Sequence, residues 1–170
     1  MSAPQTPAGR AGELITTLQL VPHPEGGWYR EIFRGAGQVR PADGGALRST
    51  LTSIDFLLVA GQHSAWHRVA SDEAWHLLEG GPLRLWLMPP ALDRIESVDL
   101  AAADRQGRRP RHVVPANWWQ AAEPLPGAGF AYVGATVGPG FDFADFSFGR
   151  DEPALRQALQ ALRADLLRLL

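Results

Sequence analysis

The stretch Gly61-Gln62-His63-Ser64-Ala65-Trp66-His67-Arg68-Val69-Ala70-Ser71-Asp72-Glu73-Ala74-Trp75-His76-Leu77-Leu78-Glu79-Gly80 carries three of the chain's five histidines. Its two short runs, 64–69 and 73–79, are bounded by turn residues and read as strands. Side chains alternate along a strand, so His67 and Val69 share one face, as do Glu73, Trp75 and Leu77, while His76 takes the other. Folded as a hairpin across a tight turn, the two strands would point His67 and Glu73 into one interior. A carboxylate beside an imidazole raises its pKa and fixes its tautomer, which suits a general base or acid acting on a carbon acid or sugar carbonyl. The competing reading is a satisfied buried pair that only holds two strands together.

Working outward, short apolar or alternating runs at 28–34, 47–60, 82–88, 93–99, 111–114, 117–122, 129–138 and 143–148 are separated by Gly, Pro, Asp or Asn. So many short runs with turn signals between them predict an all-β antiparallel sandwich or barrel in one domain over residues 11–150. Residues 100–110 run into Gly107 and Pro110 and read as a loop. Residues 1–10 read as a disordered lead-in, followed by a short helix in which Leu14, Ile15 and Leu18 share a face. Residues 151–170 predict an amphipathic helix packed on the barrel: Asp151 takes the N-cap position with Glu152 and Pro153 in the first turn, and Leu155, Leu159, Leu162, Leu166 and Leu169 recur at spacings of four and three.

The chain has 170 residues and its 16 basic residues are all arginine; lysine and cysteine are absent. That excludes Schiff-base, phosphate-loop lysine, thiol and thiolate-metal chemistry, and leaves histidine, carboxylate, hydroxyl and arginine. A net charge of −2, with a basic group only at Arg105, Arg108, Arg109 and Arg111, argues against a nucleic-acid partner. No apolar run is long enough to cross a membrane, and a cytoplasmic location is expected.

Gly61, His67, Glu73 and Gly80 fall on the spacing of the first motif of the cupin superfamily, G-x5-H-x-H-x3,4-E-x6-G, with Val69 in place of the second histidine. Pro115-Ala116-Asn117-Trp118-Trp119-Gln120 resembles the second motif, P-x-G-x2-H, with Asn117 for glycine and Gln120 for histidine. These blocks, with Pro22-His23-Pro24-Glu25-Gly26-Gly27-Trp28-Tyr29-Arg30-Glu31 and Pro139-Gly140-Phe141-Asp142-Phe143-Ala144-Asp145-Phe146, resemble the signature stretches of the fifth cupin family, single-domain proteins of unestablished function. The resemblance covers about residues 12 to 150. It implies a double-stranded β-helix, the cupin jelly-roll barrel, commonly assembled as a homodimer, with a small-molecule pocket similar to those of sugar epimerases and germins.

A standard cupin metal site offers three imidazoles and a carboxylate. Here the matching positions are His67, Glu73, the neutral amide Gln120 and the alkyl Val69, so any metal would rest on His67, Glu73 and Gln120, a weak set, unless His63 is brought in by a bulge. The expected function is therefore binding of a small molecule, sugar-like or carboxylated, with isomerase, epimerase or lyase chemistry at His67 supported by Glu73. A non-catalytic ligand cup and a metal enzyme with a reduced ligand set are the alternatives. Metal-free cupin epimerases set a tyrosine acid opposite the histidine, and Tyr29 and Tyr132 are the two tyrosines available. By alternation Gln120, Trp75 and Trp118 face the pocket, whereas Trp66 and Trp119 face outward or into a partner. Of the arginines in strand-like runs, Arg48 is the candidate to clamp an anion, against the competing reading of arginines paired with acids on the outer face.

Overall fold

The structure is a computed structural model and describes residues 7–42 and 44–170. One antiparallel sheet has the order β1 (Val21–Pro22), β2 (Trp28–Arg34), β5 (Thr52–Val59), β12 (Phe130–Gly138), β7 (Asp72–Gly80) and β10 (Arg111–Val114). The second has the order β13 (Phe146–Phe148), β6 (Ser64–Val69), β11 (Trp119–Pro124), β8 (Leu83–Met88) and β9 (Glu96–Leu100). A small ribbon pairs β3 (Gln38–Val39) with β4 (Arg48–Ser49). The two large sheets face one another as a jelly-roll barrel.

Alternation sets the layers. Along β12 every second residue is buried, Ala131, Val133, Ala135 and Val137. The interior between the sheets is filled by Phe56, Leu58, Trp75, Leu83, Leu85 and Val133, among others. The outer face of the first sheet is covered by α1 (Gly9–Thr17), through Leu14 and Ile15 packed on Trp28 and Leu57. The outer face of the second is covered by the C-terminal segment, where Leu155, Leu159, Leu166 and Leu169 pack against Trp66, Trp86 and Trp119. Trp66 and Trp119 thus point away from the barrel, and their cover comes from the chain itself.

Four expectations are corrected. β6 and β7 do not form a hairpin: β6 pairs with β11 and β13, and β7 with β10 and β12. The chain crosses from one sheet to the other at Ala70–Ser71, so His67 and Glu73 project into the interior from different sheets. The lead-in ends sooner than residue 10, because Gly9 and Arg10 already belong to α1; residues 1–6 lie outside the described residues. The C-terminal helix is not continuous to 170. It is α2 (Pro153–Leu162), an extended residue at Arg163 (φ −157°, ψ 77°), and a 3-10 segment Ala164–Leu169. A straight helix would leave the twisted sheet; the break leaves Leu162 exposed and brings Leu166 and Leu169 into full burial. Finally, Glu152 rather than Asp151 caps α2, accepting from Ala154 N at 3.3 Å, with Pro153 in the first turn where its missing N–H costs nothing.

Leu155 is fully buried under this segment. Leu155→Ala should lower the unfolding free energy by about 2–5 kcal/mol, read as a lower urea midpoint at unchanged slope; an unchanged midpoint would contradict the packing.

Candidate functional site

Within β6, Ala65, His67 and Val69 turn inward and Trp66 and Arg68 outward. Within β7, Glu73, Trp75 and Leu77 turn inward. Gln120 of β11 stands directly opposite His67 in register. Of these side chains His67, Val69 and Glu73 border a cavity of about 440 Å³ whose buried end carries His23, Glu25, His67 and Glu73, while Gln120, expected to face a ligand, stands behind Glu73 and does not line it. Its walls include Tyr29, Ile54, Val137 and Phe146, and its open end Glu31, Arg34 and Phe143.

Two members of the buried end, His23 and Glu25, went unassigned from sequence. They come from the turn between β1 and β2, which docks on β6 through a hydrogen bond from Ala65 N to Glu25 O at 2.8 Å. The docking demands glycine. Gly26 has φ +109°, and a Cβ there would collide with the His63 carbonyl. Gly27 has φ +73° and would strike the Leu57 carbonyl oxygen. The usable signal was a histidine and a glutamate in a turn followed by two glycines, in a chain with five histidines.

His67 is 2% exposed. Its Nδ1 lies 2.8 Å from Ala65 O and 3.3 Å from Glu25 Oε2. A carbonyl only accepts, so Nδ1 carries the proton and the neutral ring keeps its lone pair on Nε2. No described residue bonds Nε2, and no buried side-chain nitrogen or oxygen is left without a partner, so Nε2 opens to the cavity. Phe146 stacks on the ring at 5.3 Å, 14° from parallel. Glu25 accepts from Ser64 Oγ at 2.8 Å. Glu73 accepts from Gln120 Nε2 at 2.5 Å, and Gln120 Oε1 accepts from Trp75 Nε1 at 3.0 Å. His23 Nδ1 accepts from Glu25 N at 3.2 Å, and the His23 ring meets Tyr29 edge-on at 4.4 Å.

Burial dominates the electrostatics because the charged forms lose water. It pushes the Glu25 carboxyl up to about 8, with Ser64 opposing. It pushes Glu73 up to about 7, with His67 opposing, Glu25 adding and Gln120 opposing. It holds the His67 imidazole below its usual range against the pull of Glu73, and brings His23 down to about 4 with help from His67.

Tyr29 lines the cavity. Tyr132 does not: it lies on the outer face of β12 against the α1 cluster, donating to Asp55 Oδ1 at 2.9 Å. Trp75 is interior and orients Gln120 without lining the cavity. Trp118 precedes β11, after Asn117 at φ 65°, so strand alternation does not reach it; it stands away from the cavity under the Arg94 guanidinium. Arg48 is held bidentately by Asp145 at 2.6 and 2.7 Å, outside this cavity. Metal ligation fits poorly. Val69 has no donor, and the Gln120 amide oxygen is taken by Trp75. Among the described residues no three imidazole or carboxylate groups come together in an arrangement that could hold an ion.

The sequence matches the family described as cupin superfamily (DUF985) over residues 12–149. The chain belongs to that cupin family. This cupin is similar to a hypothetical protein from Leishmania major, with 31% identity, TM-score 0.82, and coverage of 95% of this chain and 98% of the other. It is similar to a Shewanella oneidensis protein at 29% identity and TM-score 0.79, covering 95% and 98%. An uncharacterized protein of Saccharomyces cerevisiae is 26% identical over 162 residues, 88% of this cupin and 80% of the yeast chain.

The Glu25 proton has a consequence for stability. A carboxyl whose folded pKa is about 8 keeps its proton while the unfolded chain releases it from pH ~4.5 upward, so its contribution is lost as pH rises to about 8. Glu25→Gln removes that titration. Its stability relative to wild type should rise between pH 5 and pH 9 in urea melts, and a difference constant with pH would contradict the raised pKa.

Proposed function

We propose that this cupin binds a small organic molecule in the barrel and moves a proton on it, as an isomerase, epimerase or lyase, with His67 Nε2 as the group that takes or gives the proton. The supporting observation is a buried imidazole whose Nδ1–H is held by a backbone carbonyl while Nε2 opens to the cavity. A base fixed in one tautomer needs no reorganisation before proton transfer. The imidazolium formed on accepting a proton lies near Glu25 at its Nδ1 side and Glu73 from the facing sheet, and their negative forms stabilise it. Glu25 and Glu73 act through His67 and are positioning residues. Gln120, locked between Trp75 and Glu73, orients the Glu73 carboxyl. Tyr29, the tyrosine that lines the cavity, takes the role of the facing acid.

A neutral histidine in a weakly polar pocket deprotonates weak carbon acids poorly unless the charge it leaves behind is also stabilised, so activity should depend on both Tyr29 and His67. Incubation of the protein with a panel of small carbonyl compounds in D2O, followed by mass spectrometry, tests the proposal. Deuterium uptake at a carbon-bound position should occur with wild type and fall about 10²–10⁴-fold in His67→Gln. Uptake at the wild-type rate in that variant would refute the assignment.

A further inference from the structure

We propose that the cavity receives a small organic cation, an amine in its ammonium form, with N–H groups donating to the Glu73 carboxyl, the carbon beside the nitrogen facing His67 Nε2, and an apolar body lying among Phe141, Phe143 and Phe146. This names the substrate class of the site proposed above and rests on the same open Nε2.

The charges around the cavity favour a cation. The chain has no lysine, and two arginines line the space, Arg30 and Arg34. Arg34 is closed: Nε and Nη2 bind Glu31 at 3.0 and 2.7 Å, and Nη1 binds Phe141 O at 3.1 Å. Arg30 stands opposite Asp55 in the β2–β5 register, on the outer face of the sheet, and its guanidinium donates to Leu18 O and Gln19 Oε1. A carboxylate or phosphate brought to the buried end would therefore meet no arginine there, since Arg34 is bound to Glu31 and Arg30 reaches out to Leu18 and Gln19, and an unpaired buried anion is costly. The carboxyls are in the opposite situation. Glu25 and Glu73 are 8% and 7% exposed. Their hydrogen-bond donors, Ser64 and Gln120, are neutral, and among the described residues no arginine lies within ion-pair distance of either. A cation arriving beside Glu73 favours the ionised carboxylate and supplies an opposite charge that no described arginine provides.

The walls point the same way. Phe141, Phe143 and Phe146 form a three-ring cluster with centroid separations of 5.0, 6.1 and 6.3 Å and interplanar angles of 80°, 76° and 61°. Phe143 is 58% exposed, so folding alone gives little reason for a large ring at the cavity mouth. Steeply inclined rings offer faces on several sides, the arrangement that attracts an ammonium group or the polarised C–H groups beside it. The run Phe141-Asp142-Phe143-Ala144-Asp145-Phe146 is built to present them: Asp142 caps the turn by accepting from Ala144 N at 2.8 Å, and Asp145 anchors it to Arg48. One part of the wall, at Ile54, Val69, Ala135 and Val137, is aliphatic and offers no hydrogen-bond partner to a ligand lying against it.

Isothermal titration of the full chain with three matched probes, benzylammonium, benzyl alcohol and benzoate, tests the proposal, with the His67 15N resonances followed in parallel. Benzylammonium should bind at least about tenfold more tightly than benzyl alcohol, benzoate should bind weakest, and the His67 Nε2 resonance should move on amine binding. Glu73→Gln should erase the preference for amine over alcohol. Because that buried change can disturb folding, Phe143→Ala, at an exposed ring, serves as the second variant and should weaken benzylammonium by about tenfold. Benzoate binding as tightly as the amine, equal binding of all three, or no amine binding would overturn the proposal. Failure of amine binding alongside His67-dependent deuterium uptake would remove the ligand class and leave the base in place. Amine binding without such uptake would do the reverse.

Discussion

At Gly26 and Gly27 the turn from His23 to Gly27 lies so close to the His63 and Leu57 carbonyls that no Cβ fits, and the chemistry of the barrel depends on that contact. The Ala65 N to Glu25 O bond fixes the turn on the strand that carries His67. With the turn in place, Glu25 reaches His67 Nδ1 from one side while Ala65 O binds the same nitrogen. The proton is confined to Nδ1, and Nε2 is left as the only nitrogen that can meet a ligand. Loosening the turn would release Glu25 and admit water at Nδ1, so the two glycines act on the imidazole without touching it.

The second governing feature is an interior with titratable groups and no permanent cation. Glu25, Glu73, His23 and His67 are all pushed toward their neutral forms by burial. Such a cluster stores protons near neutrality and responds strongly to any charge that enters, because the low local polarity magnifies the interaction. Where a metal cupin sets further imidazoles, this chain has Val69, which adds apolar wall, and Gln120, which braces Glu73 instead of facing outward as a ligand.

Much of this was legible in the sequence, for reasons that can be named. The alternation around His67 and Glu73 and the dense turn signals gave the barrel, and the blocks at 22–31, 61–80, 115–120 and 139–146 gave the family. Strand period also placed His76 outside the interior and Trp66 and Trp119 on the outer face. What sequence could not give was which strands pair. A short link at Ala70–Ser71 looks the same whether it closes a hairpin or carries the chain to the opposite sheet, and only the partners contributed by β10 to β13 decide between them. His23 and Glu25 were hidden because a turn has no period from which to infer direction. Tyr132 and Trp118 fell the other way: Tyr132 sits on the outer face of β12, and Asn117 interrupts the alternation before Trp118. Of the C-terminal leucines read as one stripe, Leu155, Leu159, Leu166 and Leu169 are buried, but Leu162 is exposed because the helix ends there and the chain is extended at Arg163.

The protonation state of His67 carries the whole account, and 15N-detected NMR of its ring measures it directly. At pH 7 the spectrum should show a neutral ring protonated at Nδ1, with Nε2 at the shift of a lone-pair nitrogen. A ring protonated at Nε2, or an imidazolium at that pH, would contradict it.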